Sequence, residues 1–210
     1  MSLHVDSEAI VCALRTHGEH GGIVRLLTRE HGLVAAYVRG ASGRRMRPIL
    51  IPANLVSAQL RSRNDAQLPQ AAIELVRSRA PILREPLTAA AVDWAATLIV
   101  TTLPEHQPYP DLYLAVSGFL NALEVAPAAS AWATALVRLE LLLVAELGYA
   151  RALPSLPESI RSGVEADWAE VLAGLETSGR LLKRELLSGA SASVMDSRSR
   201  LVDRLKRAAR

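Results

Sequence analysis

The chain has 210 residues, of which 50% are hydrophobic, and its formal net charge is +3. Such a chain can bury a core without disulfides or metals, which excludes disordered proteins and disulfide scaffolds. The single cysteine, Cys12, cannot form an internal disulfide, and we interpret it as a small core residue of a cytoplasmic protein. Asp6 and Glu8 interrupt the first residues and no long apolar segment occurs, so we expect no signal peptide and no membrane contact.

Charge is distributed unevenly along the chain. Residues 1–82 carry 11 basic and 6 acidic side chains, residues 83–179 carry 4 and 12, and residues 180–210 carry 9 and 3. The three segments therefore have net charges of +5, −8 and +6. Positive charge segregated at both ends is typical of a protein that binds a polyanion, and the acidic middle is a surface that a polyanion avoids.

Short runs rich in Val, Ile and Leu fill the first 82 residues, and Gly, Pro, Asn and Asp separate them. They predict five strands, at residues 8–16, 22–28, 33–39, 55–63 and 71–79. Five strands in so short a segment favour a small closed barrel of the OB-fold type, in which closure removes exposed edges. An open five-stranded sheet satisfies the same pattern.

Side-chain alternation places arginines on the outer faces of these predicted strands. In the fourth strand, for example, Val56, Ala58 and Leu60 are expected to point inward and Arg61 outward. The turn at residues 38–50 adds further arginines beside two glycines. The candidate nucleic-acid-binding residues of this region are Arg25, Tyr37, Arg39, Arg44, Arg45, Arg47, Arg61, Arg63, Arg77 and Arg79. A basic face that is merely solvated is the alternative.

Tyr37 is the only Phe, Tyr or Trp in the first 82 residues. Binding of nucleic acid needs positive charge to displace counterions, and aromatic surfaces where bases are gripped by stacking. Since this region is rich in positive charge and poor in aromatic side chains, we expect it to contact phosphates with little preference for base sequence.

From residue 83 onward the apolar residues recur every three to four positions, which indicates helices. We therefore predict an α+β protein with a barrel domain at residues 1–82 and a helical domain at residues 83–210. Helices are predicted at residues 87–102, 111–125, 129–148, 164–176, 180–187 and 198–209. The last of these places Arg200, Arg204 and Arg207 on one side as further candidates for DNA contact, unless the segment is a frayed tail.

The sequence carries no recognisable catalytic motif. The glycines of the turn at residues 38–50 lack the Lys-Ser/Thr pair and the helix of a nucleotide-binding loop. His17 and His20 fall in a turn rather than on a helix, without a paired acidic ligand. We expect no enzyme, no metal site and no cofactor. A hydrolase built on the region from His17 to His31 is an alternative.

Three segments resemble the RecO family of bacterial DNA repair proteins. They are EAIVCALRTHGEHGGIVRLLTREHGLVAAYVRGASG at residues 8–43, ILIPANLVSAQLRSR at residues 49–63 and VRLELLLVAELGYARAL at residues 137–153. The resemblance implies an OB-fold followed by a helical domain. It also implies a recombination mediator that binds single- and double-stranded DNA, anneals complementary strands and helps load recombinase onto DNA coated by single-strand binding protein.

The resemblance further implies two protein partners, RecR and the acidic C-terminal tail of the single-strand binding protein, and a cytoplasmic location at the nucleoid during repair. Many RecO proteins carry a zinc-binding cysteine cluster after the segment that corresponds to ELGY at residues 146–149. Here residues 150–163 contain no cysteine or histidine, so we predict no zinc.

One arginine stands out in the acidic middle of the chain. Arg138 is the only basic residue between Arg84 and Arg151, and its helical neighbours are mostly apolar. An acidic, apolar peptide tail needs a hydrophobic pocket with a cation for its carboxylate, so we predict that Arg138 and Leu142 bind the tail. A pairing of Arg138 with an internal acid, Glu140 or Asp111, is an equal alternative. For the whole chain the alternative function is an OB-fold module that binds RNA or another protein.

Overall fold

The structure is a computed structural model that describes residues 4–62, 67–126, 128–162 and 166–210. The chain divides into two compact units. We call Met1–Arg84 with Ala96–Tyr113 the barrel unit, and Glu85–Ala95 with Leu114–Arg210 the helical unit. The domain boundary expected after residue 82 stays a prediction.

Five strands form a closed barrel in the order β1-β2-β3-β5-β4. The strands are β1 His4–His17, β2 Gly21–Thr28, β3 Gly32–Val38, β4 Leu55–Arg61 and β5 Gln70–Arg77. The β3–β5 pair is parallel and the other pairs are antiparallel. The predicted barrel is confirmed, and closure excludes the open sheet. β1 begins four residues earlier than predicted because its first half pairs with β4 and its second half with β2.

The barrel interior is filled by aliphatic side chains from all five strands. Val56, Ala58 and Leu60 of β4 point into it, as alternation predicted. From the other strands the interior receives Val5, Ala9, Val11, Val24, Leu26, Val34, Ala36, Val38 and Ile73. Cys12 is also buried, as expected for a small core residue, and burial raises the pKa of its thiol to about 12. The thiol is therefore protonated and unreactive at neutral pH.

The connection between β3 and β4 is a series of turns that packs onto the barrel, and not a hairpin, since β3 pairs with β5 instead of β4. Gly40 opens it with a φ of +70°, a left-handed conformation that glycine adopts without strain. Ala41 and Leu50 are buried in the barrel core. Asn54 closes the connection, because its side-chain amide donates to the carbonyls of Pro48 and Ile49, both at 3.0 Å.

Part of the barrel's outer face is covered by the segment of residues 96–113 within the same unit. The guanidinium of Arg25 donates to the carbonyl of Val100 at 3.1 Å, and the backbone N–H of His106 donates to the carbonyl of Leu33 at 3.0 Å. A Cβ on Gly32 would stand 1.9 Å from the carbonyl oxygen of Gln107. This cover explains why Leu33 is buried although it points away from the barrel interior.

The first three helical segments begin within one residue of their predicted positions, the fourth lies where no helix was predicted, and the last two differ from their predicted bounds. The segments are α1 Pro86–Thr102, α2 Pro110–Val125, α3 Ala129–Val144, α4 Glu158–Ser162, α5 Trp168–Leu181 and α6 Ala192–Ala208. The expected break between residues 176 and 180 is wrong, since α5 continues through it. α6 begins six residues before its predicted start at Arg198, and Arg198 itself lies on the buried face of the helix. In the described ranges, no helix has the length and apolarity needed to cross a membrane.

Helix α3 provides the largest share of the buried apolar side chains of the helical unit. Of its predicted inner stripe, Trp132, Leu136, Leu139 and Leu143 are buried, whereas Leu147 lies beyond the end of α3 and is half-buried. Glu140 is also completely buried, at 0% exposure. Its carboxylate accepts hydrogen bonds from α1, α5 and α6, which makes it the polar centre of the unit.

Candidate nucleic-acid interface

The outer face of the barrel carries one continuous row of side chains across four strands. In the backbone register, Arg61 of β4 lies opposite Gln70 of β5, Gln70 opposite Tyr37 of β3, and Tyr37 opposite Ile23 of β2. We call these four residues the outer row. Because their neighbours along each strand point into the core, the four side chains point away from it. A groove of about 840 Å³ beside this row is lined by both Arg61 and Gln70.

Five of the predicted DNA-binding arginines are exposed and have no ion-pair or hydrogen-bond partner for their side chains among the described residues. These are Arg39, Arg44, Arg45, Arg47 and Arg61, which we call the free barrel arginines. Arg39, Arg44, Arg45 and Arg47 lie in the connection between β3 and β4. Its backbone is held by hydrogen bonds from the N–H groups of Met46 and Arg47 to the carbonyl of Gly43. Positive charge is thus displayed on an anchored segment and is available to an external anion.

Arg25 is engaged within the barrel unit. Besides its bond to the carbonyl of Val100, its guanidinium lies 3.2 Å from the carboxylate of Glu105, and both side chains are 38% exposed. The alternation that placed Arg25 on the outer face is correct, but that part of the face is covered rather than open. We therefore leave Arg25 out of the proposed DNA contacts.

Arg79 is buried, with 2% of its surface exposed. Its guanidinium donates to the carbonyl of Ala53 at 3.1 Å, and its backbone N–H donates to the side-chain oxygen of Asn54 at 2.9 Å. β5 ends at Arg77, so the strand alternation that placed Arg79 beside Arg77 does not extend to it. The structure thus gives Arg79 a packing role, and it cannot reach DNA.

Arg77 and Arg61 lie at opposite ends of the β4–β5 ladder. Arg77 is paired with Leu55 and Arg61 with Gln70, so the two arginines are six residues apart along β4, or roughly 20 Å at the rise of a strand. Arg77 is exposed, but it is distant from the outer row. Arg63, another predicted contact, lies outside the described residues.

In the helical unit, α6 is the amphipathic helix that the sequence predicted rather than a frayed tail. Leu201 and Leu205 are buried on its inner side. Arg200 and Arg207 are exposed on the other side, whereas Arg204 is half-buried and donates to the carbonyl of Pro86 at 2.6 Å. α6 therefore displays a basic outer face while its apolar face is docked.

A second site in the helical unit is an apolar groove of about 550 Å³, to which both Arg138 and Leu142 contribute. We call it the tail groove. Its apolar lining comes from α2, α3, α4 and the loop before α4, and includes Phe119, Leu139, Leu141, Leu142, Leu153, Leu156 and Ile160. Arg161 of α4 also lines it and pairs with Glu158. Leu153, Leu156, Ile160 and Arg161, which come from the stretch without cysteine or histidine, thus form one wall of this groove.

The two internal pairings proposed for Arg138 are not formed. The carboxylate of Glu140 instead accepts hydrogen bonds from Nε of Arg198 at 2.9 Å, from Nη2 of Arg198 at 2.8 Å and from the indole N–H of Trp94 at 2.7 Å. Arg138 is exposed, and within the described residues its guanidinium has no partner, Asp111 included. The cation at the tail groove is therefore available to a ligand.

Two residues of these sites were missed in the sequence. No local sequence pattern marks Gln70 as a site residue, because its place in the outer row depends on a parallel pairing between β3 and β5. Arg161 is distant from Arg138 in sequence, and only the packing of α4 against α3 brings both to one groove. Among the described residues, no three His, Cys, Asp or Glu side chains come together in a way that could hold a metal ion.

Comparison with known proteins identifies the family. A family model described as the N-terminal part of recombination protein O matches residues 1–79, and one for its C-terminal part matches residues 83–202. The chain belongs to the RecO family. It is similar to the DNA repair protein RecO of Rhodospirillum centenum, with 32% identity over 96% of this chain and 94% of the relative. The RecO protein of Phenylobacterium zucineum is 30% identical over 99% of this chain and 100% of its own length.

A shorter match, to RecO of a Bradyrhizobium species, is 40% identical over 70% of this chain and 58% of the relative. Membership confirms the resemblance found in the sequence, and the closed barrel followed by helices is the architecture that it implied. The family models describe a recombination protein and the relatives are named DNA repair proteins, so the chain belongs to a family of DNA repair and recombination proteins.

Proposed function

We propose that this protein binds single- and double-stranded DNA without sequence preference, anneals complementary strands and helps load recombinase onto DNA coated by single-strand binding protein. The observation that carries the proposal is the set of free barrel arginines, which are exposed without side-chain partners among the described residues. In this reading the protein acts in the cytoplasm at the nucleoid, and it uses no cofactor.

The physical basis is release of counterions from the DNA backbone. Each arginine that neutralises a phosphate of duplex DNA changes the slope of log affinity against log salt by about −0.9. Five such contacts would give a slope of roughly −4 to −5, and a loss of affinity of roughly 10²–10³-fold between 50 and 200 mM salt. Phosphates are the same in every sequence, so binding of this kind is not selective for base sequence.

Annealing follows from the same chemistry. Two single strands repel each other through their phosphates, and a surface that neutralises both lowers that repulsion. Contacts to phosphates leave the base edges free to pair, whereas contacts to the edges would compete with pairing. A protein that holds strands by their backbones can therefore bring complementary strands together.

The first experiment combines salt-titrated DNA binding with an annealing assay. In the variant Arg44→Glu/Arg45→Glu/Arg47→Glu we expect the salt slope for duplex DNA to fall by about 2 to 3 and annealing of complementary strands to be lost. The matched control is Arg180→Glu/Lys183→Glu/Arg184→Glu, which makes the same change in net charge at three exposed residues of the helical unit.

Two results would contradict the proposal. If the wild-type protein binds DNA with an affinity that does not change with salt, or does not anneal complementary strands, the function is wrong. If both triple variants weaken DNA binding equally, the net charge of the protein determines its affinity for DNA, and the position of the free barrel arginines does not matter.

We also propose that the tail groove binds the acidic C-terminal tail of the single-strand binding protein. The groove combines an apolar lining with an exposed guanidinium, that of Arg138, which has no partner among the described residues. An acidic and apolar peptide end needs both features, since its side chains must leave water and its carboxylate must find a cation.

Binding of a fluorescent tail peptide measures this site. Arg138→Ala is expected to weaken binding roughly 10- to 100-fold, because a hydrogen bond between charged groups is lost. Leu142→Asp is expected to abolish it, and Arg180→Ala, an exposed arginine outside the groove, should leave it unchanged. Unchanged affinity in a folded Arg138→Ala variant would show that the groove is not the tail site.

RecR remains the second proposed partner. Its support is membership of the family, and we assign no surface to it.

A further inference from the structure

Three side chains meet where β1, β2 and β3 lie together on the outer face of the barrel. His17 is the last residue of β1 and is paired across the turn with Gly21, the first residue of β2. Tyr37 of β3 is paired with Ile23, two residues further along β2. We call His17, Gly21 and Tyr37 the aromatic corner.

Gly21 is where the tyrosine ring rests. A Cβ on Gly21 would stand 2.2 Å from the hydroxyl oxygen of Tyr37 and 2.5 Å from its Cε2 atom. Gly21 is not among the glycines with positive φ, so its backbone does not require glycine. The missing side chain instead leaves the space in which the ring of Tyr37 lies.

His17 adds a second ring in a defined geometry. The centroids of the imidazole and the phenol ring are 6.2 Å apart and their planes are at 86°, an edge-to-face contact. His17 is exposed and Tyr37 is half-buried, so both rings have surface in contact with solvent.

Cations lie near the corner. Arg61 is in the outer row with Tyr37, separated from it by Gln70 alone. Arg39 follows Tyr37 by two residues and is exposed. An aromatic surface bordered by free guanidinium groups is the combination that single-stranded nucleic acid requires, since bases stack on rings and phosphates bind cations.

We propose that the aromatic corner stacks an unpaired base of single-stranded DNA, with Tyr37 as the stacking surface, His17 as its flanking ring and Gly21 as the residue that seats it. The inference rests on the proposed DNA binding and adds to it a way to distinguish single strands from duplex. In a duplex the bases are already stacked on each other, and only the phosphates are available to the protein.

The test compares three labelled probes of the same length: a single strand, a single strand of abasic sites and a duplex. The abasic strand keeps the phosphates and lacks the bases. We expect the wild-type protein to bind the normal strand roughly 5- to 150-fold more tightly than the abasic strand, the range for one to a few kcal/mol of stacking.

Tyr37→Leu should remove that preference while leaving affinity for the abasic strand and the duplex unchanged. Tyr37→Phe should retain it, because the ring remains. Gly21→Ala should reduce it with no change in aromatic content, since the new methyl group displaces the ring. His17→Leu should reduce it less than Tyr37→Leu. Far-UV circular dichroism of each variant confirms that the barrel is folded.

The outcomes separate this inference from the proposed function. Salt-dependent wild-type binding that is equal for normal and abasic strands would overturn the aromatic corner and leave phosphate binding intact. Equal losses for strand and duplex in Tyr37→Leu would also overturn it, because the residue would then act on backbone contact. Wild-type protein that binds none of the three probes would refute the proposed function itself.

Discussion

The two units are held together by different kinds of interaction. The barrel surrounds a cluster of aliphatic side chains, and its strands are positioned by backbone hydrogen bonds that run around a closed sheet. The helical unit instead has a carboxylate at its centre, Glu140, with Arg198, Trp94 and Ser178 bonded to it. Strands need each other to satisfy their backbone groups, whereas a helix satisfies its own.

This difference shows which interactions select a single arrangement of the strands in one unit and of the helices in the other. A closed barrel with a fixed register needs no polar side chain to select one arrangement of its strands. Helices can slide and rotate against each other, and apolar contacts alone discriminate poorly among the resulting arrangements. In the helical unit the directional bonds of Glu140 fix α1, α3, α5 and α6 relative to one another. The barrel unit displays Arg39, Arg44, Arg45, Arg47 and Arg61 outside and buries Arg79 beside Asn54, whereas the helical unit buries Arg198 against Glu140 at its centre.

The largest effect is expected from removing one member of the buried ion pair between Glu140 and Arg198, which tests whether this pair organises the helical unit. Glu140→Ala should lower the free energy of unfolding by about 3–5 kcal/mol, because Arg198 would stay buried without a counter-charge. Urea unfolding followed by tryptophan fluorescence measures it selectively, since all three tryptophans lie in the helical unit. The double variant Glu140→Leu/Arg198→Met should regain about half of the loss or more. A loss below about 1 kcal/mol for Glu140→Ala would mean that the network does not organise this unit.

The next largest effect is expected in the barrel unit, at Asn54. This side chain is completely buried and bonds to Pro48, Ile49 and the backbone of Arg79. Asn54→Ala should lower the free energy of unfolding by about 3 kcal/mol, since each of the three lost hydrogen bonds contributes about 1 kcal/mol. Urea unfolding followed by far-UV circular dichroism reports the change.

Gln59→Ala is the matched control, since Gln59 is exposed on β4 and bonds only to Asp6 among the contacts of its side chain in the described residues. It should change stability by less than about 0.5 kcal/mol. Equal effects of the two variants would show that the anchoring of the connection between β3 and β4 contributes nothing.

The smallest effect on stability is expected from the arginines on the barrel surface. Arg44→Glu/Arg45→Glu/Arg47→Glu should change the free energy of unfolding by no more than about 0.5 kcal/mol for each substitution, because these exposed side chains pack against nothing that the fold requires. The same variant is expected to lose DNA annealing. If the triple variant unfolds at a much lower urea concentration than the wild-type protein, these arginines contribute to the stability of the fold.

Much of the fold was predictable because periodicity reports which face of an element is buried. The alternation of Val56, Ala58 and Leu60 predicted their inward orientation, and the stripe from Trp132 to Leu143 predicted the inner side of α3. The errors occurred where a polar residue takes a core position. Arg198 takes a buried position on α6, and Arg79 was assigned to the surface because strand alternation was extended past the end of β5 at Arg77.

The candidate sites were predictable only in part. Exposure of the arginines at residues 44, 45 and 47 follows from their place in a polar turn between apolar runs. The cover over Arg25 does not, because it comes from a segment about 75 residues later in the chain. Likewise, no spacing in the sequence relates Arg161 to Arg138, or His17 to Tyr37.

By itself, the sequence determined the elements, the segregation of charge and the family, since local periodicity, composition and similarity are properties of the chain in one dimension. Only the tertiary structure decided which arginines are free, because burial and pairing depend on residues distant in sequence. It left Arg44, Arg45 and Arg47 exposed, engaged Arg25 and buried Arg79. These arginines have the same chemistry, and their different roles arise from what the fold places beside them.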